Sequence, residues 1–320
     1  MIDKLSPIAT VVITTRNRKE MLRQAMESAL LQKGNVEVIV MDDASTDGST
    51  DMVRREFPMV RLFTTVHRCG LIVQRNRAAE LATAPVIFSL DDDAIFTTSN
   101  IVEQTLSYFE DPRVGAVALP LVNIIDGVKQ EFFAGRPSEK GQFWITHAFP
   151  GGASAVRREL FIYLGGFHSY LFQWGEEAEY AQRMLSAGRV VRLGMTDPIH
   201  HFPAKVGRHT RGKNIWLYRN MILTVWYNAP RALLFPLIGI QTMRCLGNVS
   251  VKPQQIPIAI EGLIRGYIGC IKEFKARRPL SFRTFKLFVE INRRRFVLFD
   301  HIKDRLPAMA TLNPAQVSGK

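Results

Sequence analysis

Short apolar runs rich in β-branched residues recur through the first two hundred residues, and between them apolar positions repeat every three to four residues. That alternation predicts βαβ units, an α/β class and a mainly parallel sheet. The strands are expected at 9–14, 36–41, 60–65, 86–90, 114–119 and 189–193. The first helix has the clearest pattern. Asn17 stands in capping position with Glu20 three residues on, and Leu22, Ala25, Met26, Ala29 and Leu30 repeat at the spacing of one apolar face, which should pack on the sheet.

From about Val206 the pattern changes to long helical stretches without strand signals, interrupted by Pro230, Pro236, Pro253, Pro257 and Pro279. The chain therefore divides into an α/β domain, 1–205, and a helical, basic extension, 206–320. Trp216, Tyr218, Trp226 and Tyr227 lie near the start of the extension, and Phe274, Phe282, Phe285, Phe288, Phe296 and Phe299 interleave with its later cations. Arg231 and Arg244 cut the apolar stretch 221–251 into pieces shorter than the ~20 residues of a spanning helix, so nothing here need cross a bilayer. No internal repeat or low-complexity segment stands out.

Net charge changes this picture by its position. The chain carries a formal +13, and 260–305 holds twelve Lys or Arg against five Asp or Glu. Such a basic, aromatic segment suits an anionic membrane surface or another polyanion; a helical subdomain packed on the sheet with its cations in water fits equally well. Cys69, Cys245 and Cys270 are too few and scattered for a disulfide framework or a zinc site and suit reduced, cytoplasmic thiols. The first ten residues lack the basic-then-apolar order of a signal peptide.

Candidate chemistry sits at strand ends. Asp42 and Asp43 follow the second apolar run, and Asp91, Asp92 and Asp93 follow the fourth. In an open parallel sheet the carboxyl ends of the strands line the ligand crevice, so both clusters should face it. Three adjacent carboxylates repel one another unless a divalent cation neutralises them, and carboxylate oxygen suits Mg2+ or Mn2+. A solvated surface loop of aspartates is the alternative.

Taken in order, Val11-Val12-Ile13-Thr14-Thr15-Arg16-Asn17-Arg18, Val38-Ile39-Val40-Met41-Asp42-Asp43-Ala44-Ser45-Thr46-Asp47, Arg75-Asn76-Arg77-Ala78-Ala79, Leu90-Asp91-Asp92-Asp93, Gly165-Gly166-Phe167 and the run from Glu176 to Arg183 resemble the inverting family-2 glycosyltransferases. The resemblance covers roughly 8–205 and implies a GT-A fold, a nucleotide-binding sheet. It also implies roles. Thr14 and Arg16 would border the nucleotide, an aspartate of the Asp42–Asp43 pair would accept the imide N–H of uracil or thymine, and Arg75 would lie near the base or phosphates. That leans towards a UDP- or dTDP-sugar, with a GDP-sugar still open. Asp91 and Asp93 would hold the cation, while Asp92 would orient rather than ligate.

His200 is the preferred histidine ligand and His201 the alternative; either could be structural. Glu177 matches the family's general base, although the family commonly has aspartate there, and Glu176 and Glu179 compete for the role. If the run is helical, Glu176 and Glu179 would share a face with Arg183 as structural ion pairs. Asp92, Trp174, Glu176, His201, Arg208 and Arg211 are further candidates for phosphate or acceptor contact, the last two on a cationic stretch, 205–213, that could close as a lid or remain a solvated loop. The expected activity is metal-dependent transfer of a hexosyl or deoxyhexosyl group to a saccharide or lipid-linked acceptor, on the cytoplasmic side of a membrane. The rivals are a non-catalytic polyanion or membrane binder on the same fold and a nucleotidyltransferase. Against the latter, Thr14 to Arg18 holds no glycine for a phosphate loop. No nucleic-acid partner is expected.

Overall fold

The computed structural model describes residues 6–139, 141–203, 210–250 and 255–312. Four parallel strands open the chain: β1 (Ala9–Thr15), β2 (Val36–Asp42), β3 (Arg61–Thr64) and β4 (Val86–Asp91), side by side in the order β4-β1-β2-β3. Three helices connect them, α1 (Lys19–Leu30), α2 (Ser49–Glu56) and α3 (Leu71–Leu81). Side chains alternate across a strand, so Val11, Ile13, Val38 and Val40 join one core with Leu22, Ala25, Met26 and Ala29 of α1. Val12, Ile39 and Met41 join another, with Ile72, Ala78 and Ala79 of α3. Both faces of the sheet are thus covered, which is why β1 is buried along its whole length.

Asn17 does not cap α1. The helix begins at Lys19 after Arg18, without a side-chain cap. Asn17 instead has φ 54°. Its Oδ1 accepts the Thr46 amide at 2.7 Å and its own amide donates to Ser45 Oγ at 2.9 Å, tying the loop after β1 to the loop after β2.

Beyond β4 come β5 (Ala94–Phe96), α4 (Ile101–Leu106), β6 (Val114–Ala118), β7 (Leu121–Ile125), β8 (Val128–Glu131), β9 (Trp144–Thr146), β10 (Ala153–Arg157), α5 (Arg158–Tyr163), α6 (Glu176–Ser186), β11 (Val190–Leu193) and β12 (Ile199–His201). β10 runs antiparallel between β4 and β6, and β11 lies parallel to β6 on its other side. A second sheet has the order β5-β12-β7-β8. The six expected strands are β1–β4, β6 and β11. Of the others, four have only three residues, too short for a periodicity reading, and β8 is exposed throughout.

The extension holds α7 (Thr210–Asn228), α8 (Leu234–Ser250), α9 (Ile256–Lys272), α10 (Phe282–Arg294) and β13 (Phe296–Leu298). The helical extension also contributes a strand that its pattern does not signal: β13 pairs antiparallel with β9 and forms an edge of the main sheet, which has nine strands. Leu287, Phe288 and Ile291 of α10 are buried with Ile145, Leu185 and Val190. Part of the basic segment is therefore docked on the α/β core, with Arg305 paired to Glu290 at 2.6 Å. Among the described residues no helix is long and apolar enough to cross a membrane.

Candidate active site

The register of the parallel strands brings the acidic groups together. Thr15 pairs with Asp42 across β1–β2, and Thr14 with Asp91 across β1–β4, so both clusters stand at the same end of adjacent strands. Asp91, Asp93 and His201 each offer one ligand atom, all within 4.8 Å of one another. His201, not His200, is the histidine that faces the carboxylates. On β12 neighbouring side chains point to opposite faces, so His201 Nε2 lies 3.1 Å from Asp93 Oδ1 while the His200 ring meets Phe202 edge-on. His201 Nδ1 is 2.7 Å from Asn123 Oδ1 on β7. That carbonyl accepts a hydrogen bond from Nδ1–H, which leaves Nε2 as the nitrogen able to bind a cation. Two carboxylates and an imidazole fit a divalent cation such as Mn2+.

Asp92 faces away from this cluster. It accepts Thr15 Oγ1 at 2.8 Å and Arg18 Nη1 at 2.7 Å. Burial pushes its carboxyl up to about 6, against the pull of Arg18 and with the repulsion of Asp93. Arg18 Nη1 also reaches Asp93 Oδ2 at 3.1 Å, so this arginine bridges two of the three aspartates.

Arg75 of α3 links the aspartates to α6. Its Nη2 donates to Asp91 Oδ1 at 2.8 Å, and its Nη1 lies 3.8 Å from Glu177 Oε1 and 4.0 Å from Glu176 Oε1. Two glycines make room for this arrangement. A Cβ on Gly151 would stand 2.1 Å from Glu177 Oε1 and 2.6 Å from Arg75 Nη1, and one on Gly152 would stand 2.1 Å from the Asp91 carboxyl carbon. The two glycines before β10 therefore let the Glu177, Arg75 and Asp91 side chains approach their backbone.

The three glutamates separate by environment. Burial raises Glu176, with Arg75 opposing. Burial and then the Glu176 charge raise Glu177, again against Arg75. Glu179 goes the other way: burial alone would raise it, yet Arg183 and His168 hold it down to about 2. Its carboxylate receives Arg183 Nε at 2.8 Å and Nη2 at 2.7 Å. The expected second partner of Arg183, Glu176, does not reach it. Seven residues span ~10 Å of helix axis, and Glu176 at the first turn of α6 turns to Arg75 instead.

Glu179 and Arg183 thus form a buried structural pair. Glu179→Ala should cost ~3–5 kcal/mol, because it leaves a guanidinium buried without its counter-charge; a variant with an unchanged denaturant midpoint would remove the pair from the supports of the fold. Since the folded carboxyl is depressed from 4.5 to about 2, its stabilisation is complete above the unfolded value and fades as pH falls through that window.

Around the expected nucleotide pocket, Thr14 is buried and Arg16 exposed at the end of β1. Asp42 Oδ1 accepts the Ser45 amide at 2.9 Å, and its Oδ2 accepts Thr50 Oγ1. Asp43 accepts the amides of Cys69 at 2.6 Å and Gly70 at 3.0 Å and the Gln74 side chain at 2.9 Å. Both aspartates therefore brace loops of the crevice. Trp174 is 44% exposed, with φ 74°, just before α6. Arg208 and the Arg211 side chain lie outside the described residues, as does most of the expected lid.

The sequence profile of Glycosyl transferase family 2 matches residues 10–177, more than half of the chain and including every aspartate above and Glu177. The chain belongs to glycosyltransferase family 2. Among curated family relatives, the O-antigen biosynthesis protein RfbC of Myxococcus xanthus is 25% identical over 224 residues, 61% of this chain. The match spans 17% of the length of RfbC and no more than half of the other curated relatives. Among solved structures, the mannosyltransferase PcManGT from Pyrobaculum calidifontis, in complex with GDP-Man and Mn2+, superimposes with a TM-score of 0.53 at 19% identity, covering 84% of this chain and 88% of that one. GalNAc-T7 with UDP, GalNAc and Mn2+ gives a TM-score of 0.54 at 18% identity, over 69% of this chain and 51% of that one. The fold is GT-A.

Within this family-2 chain, sequence reasoning missed Arg18 and the Gly151–Gly152 pair. Arg18 lies inside the first matching segment, where its neighbour Arg16 drew the attention. The paired glycines were a visible signal: two adjacent glycines just before an apolar strand mark close backbone approach.

Proposed function

We propose that this chain transfers a sugar from a nucleotide-sugar donor to a hydroxyl of a saccharide or lipid-linked acceptor, with inversion at the anomeric carbon and with a divalent cation, Mn2+ or Mg2+. The observation that carries this reading is one crevice in which Arg75 joins the Asp91–Asp93–His201 cluster to Glu177. Asp91, Asp93 and His201 would hold the cation, which when bound offsets the negative charge developing on a diphosphate leaving group. Arg75 and Arg18 orient the carboxylates and add positive charge at the same end of the sheet. Glu177 takes the proton of the acceptor hydroxyl, and Asp92, held by Thr15 and Arg18, positions its neighbours.

For the donor we infer a UDP- or dTDP-sugar. A carboxylate has about four acceptor sites, and the three bonds to Asp43 and two to Asp42 leave capacity for an imide N–H. Kinship supports nucleotide-sugars in general without deciding the base, since PcManGT was solved with a GDP-sugar and GalNAc-T7 with UDP. The unpaired Cys69, Cys245 and Cys270 support a reducing, cytoplasmic location. A thermal-shift panel of UDP, dTDP and GDP, with and without Mn2+, tests the reading. The expected result is stabilisation by UDP or dTDP that requires the cation; the same midpoint with every nucleotide would contradict it.

A further inference from the structure

We propose that α8 and α9 form a docking face that lies in the plane of an anionic lipid bilayer. The observation is an inverted helix. The inward side of α9 carries Ala259, Gly262, Gly266 and Gly269 with Leu263 and Cys270, all buried, while its outward side carries Ile260, Ile264, Ile268 and Ile271, between 46% and 78% exposed. Their spacing of four, four and three residues makes one continuous stripe. A helix whose only apolar partner is the protein core places its large side chains inward. Mostly small residues inward, with Leu263 the one large aliphatic among them, and four isoleucines outward is the distribution found where lipid is the outer partner.

The inward glycines are there for close packing. A Cβ on Gly262 would stand 2.7 Å from Tyr218 Cβ, one on Gly266 3.0 Å from Ile222 Cβ, and one on Gly269 2.9 Å from Leu223 Cδ2, all on α7. With α9 pressed onto α7, its isoleucines are left to face outward. α8 extends the surface: Phe235 is 81% exposed and Met243 69%. The hydroxyls of Thr242 and Tyr267 meet at 2.6 Å on the exposed side, which sets the two helices next to each other there. Each helix has 17 residues and neither is long and apolar enough to span, so the contact is in-plane.

Charge selects the partner. Residues 230–283 carry nine Lys or Arg against two Glu. Both glutamates are engaged, Glu261 with Arg265 at 2.7 Å and Glu273 with the Tyr227 hydroxyl at 3.0 Å. Arg244 on α8, Lys272 on α9, and Arg231, Lys275 and Arg278 in the segments next to these helices are exposed. Exposed apolar helices that carry and adjoin exposed cations are complementary to acyl chains beneath anionic headgroups. This moves the membrane contact expected of the whole basic segment onto α8 and α9, since α10 and β13 are packed on the sheet. Its neighbour α7 holds the loop before α6: Asn220 Nδ2 donates to the carbonyls of Leu171, Gln173 and Trp174 at 2.6–2.9 Å. One helix thus joins the docking face to the approach to Glu177.

Co-sedimentation of the full chain with phosphatidylethanolamine–phosphatidylglycerol vesicles and with pure phosphatidylcholine vesicles tests this face. No sugar donor is present, so the outcome is independent of the transfer reading. Wild type should bind the anionic vesicles and retain part of that binding in high salt. Ile264→Glu with Ile268→Glu should weaken partition ~10-fold or more, about 1.4 kcal/mol, with unchanged far-UV circular dichroism. Phe235→Ser with Met243→Ser gives a second readout should the first pair disturb folding. Lys286→Glu with Arg293→Glu, on docked α10, should lose far less. Equal binding by wild type and both apolar variants, or an equal loss in the α10 variant, would overturn the proposal. So would ultracentrifugation showing a wild-type dimer without vesicle binding that Ile264→Glu with Ile268→Glu dissociates, which would give the face to a second copy of the chain.

Discussion

Glu177→Gln is expected to keep nucleotide binding while turnover falls ~10²–10⁴-fold, the range that a general base contributes. Glutamine preserves size and hydrogen bonding and removes only basicity. Three carboxylates compete for this role, and geometry separates them. Glu179 is fully buried and committed to Arg183. The Glu176 side chain is 3% exposed, whereas that of Glu177 is 19% exposed beside Arg75 and within reach of an incoming hydroxyl. Burial and the Glu176 charge raise Glu177 above the ordinary carboxylate range, which strengthens the base but requires it to lose its proton first. kcat/KM should therefore climb with pH through a value above the ordinary glutamate pKa of about 4.3. Comparable turnover in Glu177→Gln, with a large loss in Glu176→Gln instead, would transfer the role to Glu176.

The second large effect is expected at the Asp91–Asp93–His201 cluster proposed to hold the cation. Asp93→Ala should abolish the cation-dependent part of nucleotide stabilisation and lower turnover ~10³-fold or more, because a bound cation supplies several kcal/mol of charge stabilisation and each 1.36 kcal/mol is tenfold in rate. Asp93 is the residue to test because it faces both His201, at 3.1 Å, and Arg18, at 3.1 Å. Asp92→Asn should cost much less, since Asp92 contacts Thr15 and Arg18 and is not in the cluster. His201→Ala should weaken the response to Mn2+ while His200→Ala leaves it unchanged. Full activity of Asp93→Ala in excess EDTA would refute the assignment.

The parts of this fold legible in the sequence are those with long, regular patterns. β1, β2, β4, β6 and β11 are mainly buried apolar runs, β3 is a half-buried edge strand, and the α1 stripe of Leu22, Ala25, Met26 and Ala29 is buried as its period requires. Position after a strand also placed Asp42, Asp43 and Asp91 to Asp93 at one end of the sheet. What stayed hidden depends on contacts distant in sequence. The choice between His200 and His201 turns on the phase of β12, a strand of three residues whose pairing with β5 and β7 no local pattern announces. Arg75 reads locally as a cation on a helix, and its bridging role exists only once the fold brings Glu176 and Glu177 to its guanidinium. β13 was missed because Phe296–Leu298 follows three consecutive arginines, and Arg295, at φ 66°, turns the chain from α10 onto the edge of the sheet. Asn17 carries the right residue type for a cap, but a loop-to-loop bond to Thr46 claimed it first.

The most direct test of metal-dependent sugar transfer is release of nucleoside diphosphate by the purified full chain, with UDP-, dTDP- and GDP-sugars, Mn2+ and a membrane fraction as the source of acceptor. The predicted result is release from a UDP- or dTDP-sugar that EDTA stops and that Glu177→Gln and Asp93→Ala lack. Release from no donor, together with tight, salt-sensitive binding to polyanions, would contradict it and leave a GT-A fold used for binding alone.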